Sequence, residues 1–110
     1  MIEKVIRDYL EAKLDVPVYM NRPADPPDQY VLVMRTGGGG THLYTSTFAL
    51  QSIAPTLFEA VSLDDLVRTA MDAGSELPEI SRTRLTNCYD YTNPATKQPR
   101  YQSIYEVIHY

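Results

Sequence analysis

The strongest constraint on this 110-residue chain is where it is broken. Four of its five glycines fall together in Thr36-Gly37-Gly38-Gly39-Gly40-Thr41-His42. Three of its eight prolines lie in residues 21–29 and two more in residues 90–100. Neither kind of residue sustains regular structure: glycine carries excess backbone freedom and proline lacks an N–H. Everything ordered must therefore fit between these interruptions.

The intervals have legible periods. Residues 2–14 place Ile2, Val5, Ile6, Tyr9, Leu10 and Leu14 three and four apart, with Glu3, Lys4, Arg7, Asp8 and Glu11 opposite, which predicts an amphipathic helix. Pro17 limits residues 16–20 to a short edge strand. Residues 30–35 are apolar and flanked by turn residues, hence a strand with much of both faces covered. Residues 43–53 are rich in β-branched and aromatic side chains, and predict a long strand antiparallel to it. Thr56-Leu57-Phe58-Glu59 is a capping-box pattern that opens a second helix. Ala60, Leu63, Val67, Ala70 and Met71 form its apolar stripe, widened at the first turns by Leu57, Phe58 and Val61. Asp64, Asp65, Arg68 and Asp72 are expected on the solvated side, and Gly74 at the end. Residues 80–89 and 101–110 alternate as strands. In the last, Tyr101, Tyr105 and Val107 face one way and Ile104 and Ile108 the other. The reading is a single α+β domain over residues 1–110, with a mainly antiparallel sheet of four to five strands and two helices in the order α-β-β-β-α-β-β.

Composition narrows the function classes. No apolar run approaches the ~18 residues of a membrane helix, and the first residues lack the apolar core of a signal peptide, so the expected compartment is the cytoplasm. The single cysteine, Cys88, excludes an internal disulfide and is expected as a small packed residue in a strand. A net charge of −4 is the wrong sign for specific nucleic-acid binding. The nine tyrosines suit half-buried sheet positions and protein contacts.

No motif supports catalysis. A phosphate-binding loop needs Lys and Ser or Thr after its last glycine and then a helix, whereas Thr41-His42 lead into a strand. His42 and His109 lie far apart with no metal-ligand spacing around them. Asp64 and Asp65, like Asp25 and Asp28, are expected on solvated faces, and no serine sits in a nucleophile elbow. A tyrosine face that stacks single-stranded nucleic acid needs more cations than Lys97 and Arg100. No catalytic, cofactor or metal residue is expected. The glycine stretch reads as a hairpin tip with more freedom than a tight turn needs.

Three segments together carry a resemblance. Pro26-Pro27-Asp28-Gln29-Tyr30-Val31-Leu32-Val33 with Thr36-Gly37-Gly38, then Gln51 to Ala60, then Arg100 to Tyr110, resemble the tail-terminator (tail-completion, minor capsid or head–tail joining) proteins of long-tailed phages and prophages. That resemblance implies a non-enzymatic structural subunit. Copies assemble into a ring, commonly a hexamer, that caps the tail tube and joins it to the head connector. The implied partners are a second copy, the major tail tube protein and the connector. No membrane or cofactor is involved, and DNA passes through the ring, where an acidic protein discourages sticking. The implied location is the bacterial host cytoplasm during assembly and then the virion tail or neck. The expected contact segments are Gly37, Gly38, Gly39, Gly40, Thr41 and His42 at the hairpin tip, and Tyr91, Asn93 and Lys97 in the second loop. The competing readings are another neck or head-completion component, a host-side protein-binding adaptor, and a small enzyme using the glycine loop.

Overall fold

The computed structural model describes residues 1–110. Its elements are α1 (Ile2–Lys13), β1 (Val18–Tyr19), β2 (Tyr30–Gly40), β3 (Tyr44–Ile53), α2 (Leu57–Asp72), β4 (Ile80–Asp90) and β5 (Arg100–His109). The five strands form one sheet in the order β1-β2-β3-β5-β4. All pairs are antiparallel except β1 with β2, so the α+β architecture read from the sequence is the observed one, with a mixed sheet. No helix is long and apolar enough to cross a membrane.

Both helices lie on one face of the sheet. Ile6 and Leu10 of α1, Val67 and Met71 of α2, and Val31, Val33, Phe48, Leu50, Tyr105 and Val107 of the strands share one core. Each fully buried large side chain there contributes about 1.5–3 kcal/mol of burial. Tyr9 and Tyr105 keep their hydroxyls satisfied: Tyr9 donates to the Ala70 carbonyl at 2.8 Å and Tyr105 to Asp72 Oδ1 at 2.7 Å. The opposite face has a small cluster of Tyr30, Leu32 and Ile53 beside Tyr19. No helix packs on that face.

Local chemistry accounts for the element ends. Thr56 caps α2 by accepting from the Glu59 amide at 3.2 Å, as the capping pattern requires. The helix stops at Asp72, and Gly74 starts a 3-10 turn over Gly74–Glu76 instead of ending the helix in a left-handed conformation. A Cβ at 74 would lie 2.9 Å from Thr83 Cγ2, so a larger residue there requires that side chain to shift. The strand expected over residues 16–20 shrinks to Val18–Tyr19 and runs parallel to β2, with the Pro17 carbonyl accepting from the Val31 amide. Leu57 and Phe58 do not extend the buried arc of α2; both are exposed, Phe58 at 81%. They occupy the first turn, before the helix reaches the sheet-facing residues Ala60 and Leu63.

Candidate functional site

The glycine stretch is strand, not tip. β2 runs through Gly40, and Gly37, Gly38, Gly39 and Gly40 pair in register with Thr47, Ser46, Thr45 and Tyr44. Only Thr41, His42 and Leu43 make the turn, and all three are exposed. A register shift between Arg35 and Gly37 leaves Thr36 as the extra residue. Ladder pairing with β3 overrides the poor strand propensity of glycine. Gly38 and Gly40 are demanded by the backbone, with φ of +150° and +135°. A Cβ on them would lie 2.5 Å from the Thr45 carbonyl oxygen and 2.4 Å from that of Leu43. Gly37 and Gly39 differ, because a Cβ on either meets nothing within 4 Å.

Beside this hairpin a cavity of about 380 Å³ is lined by Ile2, Arg35, Tyr44, Glu79 and His109, among others. The His109 imidazole stacks on Tyr44 with ring centres 5.7 Å apart, and its Nε2 lies 2.7 Å from Ser46 Oγ. That contact resembles the hydroxyl–imidazole half of a nucleophilic triad. Ser46, however, is fully buried, and His109 Nδ1 lies 3.3 Å from the Tyr110 carbonyl oxygen, where a triad holds a carboxylate.

Tyr91, Asn93 and Lys97 lie at the other end of the sheet. Gly40 is level with Tyr44, His109 and Ile80, whereas the 91–99 loop joins Asp90 to Arg100, level with Tyr101 and Ile53. In a molecule 42 Å long the two expected contact segments cannot form one site. The loop is also well tied. Asp90 Oδ1 accepts from the Thr92 amide and hydroxyl, and Asn93 Oδ1 accepts from the Ala95 amide at 2.9 Å. The Asn93 carbonyl accepts from the Lys97 amide at 2.8 Å. The Thr92 bonds hold the Asp90 carboxyl below its ordinary range. Lys97 adopts a left-handed φ of 61°. Tyr91 is exposed and meets Tyr89 edge to face.

Asp64 is the residue of α2 that its charge, read alone, misplaced onto the solvated side. It is fully buried between α2 and β5, where it accepts from Ser103 Oγ and pairs with Arg68 Nε at 2.9 Å. Burial pushes its carboxyl above the ordinary value, against the opposing pull of Ser103 and Arg68. Its spacing was the available signal: it stands four residues after Ala60, three before Val67 and seven before Met71, on the apolar stripe itself. A second polar chain crosses the helix-free face: Arg100 Nη1 donates to Gln51 at 2.9 Å, Gln51 to Gln102 at 2.8 Å, and Gln102 to the Tyr89 hydroxyl at 2.7 Å. Cys88 sits half-buried within β4.

No protein-family model matches the chain, and no curated protein matches it.

Proposed function

We propose that this protein is a structural ring subunit of a long-tailed phage or prophage, a tail terminator that caps the tube and meets the head connector. The observation that supports this reading is the separation of its exposed turns. The Thr41–Leu43 turn and the Tyr91–Lys97 loop stand at opposite ends of a body 42 Å long. A subunit placed between two different partners needs contact chemistry at both ends and a rigid body between them. A single-site binder needs its contacts together. Ring closure further requires two unlike lateral surfaces on each copy, one given and one received. The two edges of this sheet are unlike: β1 and β2 on one side, β4 on the other.

The test is a phage or prophage lacking this gene, examined by negative stain. The expected result is overlong tails without heads. Filled heads without tails indicate a head-side neck component instead. Virions of normal tail length with heads attached overturn a role in the neck altogether.

A further inference from the structure

The rows of residues that cross the sheet carry an asymmetry. One row runs Gly39, Thr45, Ile108, Arg82, and another runs Gly37, Thr47, Glu106, Arg84. The row between them, Gly38, Ser46, Val107, Thr83, points to the helices, for Ser46 and Val107 are buried and Thr83 Oγ1 donates to the Met71 carbonyl. Side chains alternate across a sheet, so the first two rows point to the helix-free face. Each of them begins at one edge with no side chain and ends at the other with an exposed arginine; Arg84 pairs with Glu106 of its own sheet, whereas Arg82 makes no ion pair. Gly37 and Gly39 are also the two glycines that this chain's own fold does not require.

Both edges are open at this level. β1 covers β2 only at Val31 and Leu32, which leaves residues 35–40 unpaired on their outer side. β4 is the last strand of the sheet. Three successive antiparallel pairings make β4 run opposite to β2. In a ring in which β4 of one copy meets β2 of the next at equal height, the two strands are antiparallel. Arg82 then falls opposite Gly39 and Arg84 opposite Gly37.

We infer that the occupant of the β2 edge is the β4 edge of a second copy. Residues 80–85 of one copy add a strand to residues 35–40 of the next; the Arg82 side chain lies over the bare backbone at Gly39, and the stem of Arg84, its guanidinium held by Glu106, stands beside Gly37. The inference rests on the ring reading above and specifies its lateral contact. It accounts for the surplus glycines, because a side chain at 37 or 39 occupies the space the neighbour's arginine fills. An unprotected strand edge is a template for such pairing, and each copy uses a different edge as donor and acceptor, so the contact closes without leaving a free edge within the ring.

The test is cross-linking. A chain carrying Gly39→Cys, Arg82→Cys and Cys88→Ser brings two cysteines opposite each other across the contact, where facing Cβ atoms approach about 4.5–5.5 Å. Mild oxidation is expected to give a non-reducing gel ladder that ends at the closed ring, absent from Arg82→Cys with Cys88→Ser alone. A second variant, Gly39→Val, is expected to melt within a few degrees of the wild type and to lose the ring in light scattering. A ring without the ladder, or a Gly39→Val protein that still forms rings, overturns the inference and leaves the ring reading standing. A wild-type protein that stays monomeric both free and on purified tail tubes overturns both.

Discussion

The two ends of the sheet reach order by different means. At the hairpin end the main chain is held chiefly by ladder pairing: four glycines pair with β3, two of them adopt conformations closed to other residues, and only the long bonds from Arg35 Nε to the Gly37 carbonyl and from Thr36 Oγ1 to the Thr47 carbonyl add side-chain support. At the far end short polar side chains grip the main chain: Asp90 and Asn93 accept from the Thr92 and Ala95 amides of the 91–99 loop, and Thr92 accepts from the Arg100 amide at the start of β5. A glycine ladder has no side chains to defend it and depends on backbone geometry. A side-chain-tied loop tolerates backbone variety but depends on the charge state and identity of a few acceptors. The composition of both segments suggests mobility; the structure assigns each a specific restraint.

The largest break in this contrast is expected from Gly38→Val. A Cβ at that position meets the Thr45 carbonyl oxygen at 2.5 Å on a backbone with φ of +150°. Left-handed strain of this kind costs on the order of 1–3 kcal/mol before any clash is relieved. For a domain of this size each 1 kcal/mol shifts the melting temperature by roughly 4–8 °C. Thermal unfolding followed by circular dichroism should fall by on the order of 10 °C or more. A variant that melts like the wild type would show that the glycine ladder is not a restraint.

At the far end the sensitive variable is pH. The folded Asp90 carboxyl is held low, first by the Thr92 hydroxyl and then by the Thr92 amide. A depressed carboxylate contributes stability that is complete above its unfolded value, near 3.9, and is lost as pH falls through the folded value. Protection of the Thr92 amide from solvent exchange is therefore expected to decline below about pH 4. In Asp90→Asn the decline should be absent, because the amide oxygen accepts without titrating. Identical pH profiles in the two proteins would remove the carboxylate from the account of the loop.

Some of this was legible in the sequence and some was not. The helix faces and the Thr56 cap follow from spacings of three and four residues, which contacts within one helix determine. Residues 43–53 read as a strand because β-branched and aromatic side chains dominate, and β3 spans Tyr44–Ile53. Gly37 to Gly40 failed as a strand because nothing local favours one there. The partner strand fixes them, and only pairing reveals that two of the four need positive φ. Asp64 failed because a carboxylate is normally solvated, and its charge outweighed a spacing that puts it on the stripe. Its burial depends on Ser103, thirty-nine residues later, which no helical period contains. The parallel pairing of β1 is likewise set by a distant segment and by two residues only. Composition pointed to the contact segments, and the structure places them at opposite ends because β2 and β5 run the full length of the sheet.

The smallest effect sharpens the contrast most, because it divides the glycines among themselves. Gly37→Ala and Gly39→Ala add a methyl where nothing stands within 4 Å, on backbone outside the left-handed region. Alanine in a strand interior restricts the unfolded chain more than glycine, so each change is expected to leave the isolated subunit unaltered or to stabilise it by about 0.5 kcal/mol. Denaturant midpoints measured at dilution, where copies are apart, read this directly. The same substitutions at Gly38 and Gly40 should lower the midpoint. If all four alanine variants lose stability equally, the four glycines serve one intramolecular purpose. If only Gly38 and Gly40 do, then Gly37 and Gly39 are spared for something outside the subunit, and the glycine end differs from the loop end in having a face that its own chain leaves bare.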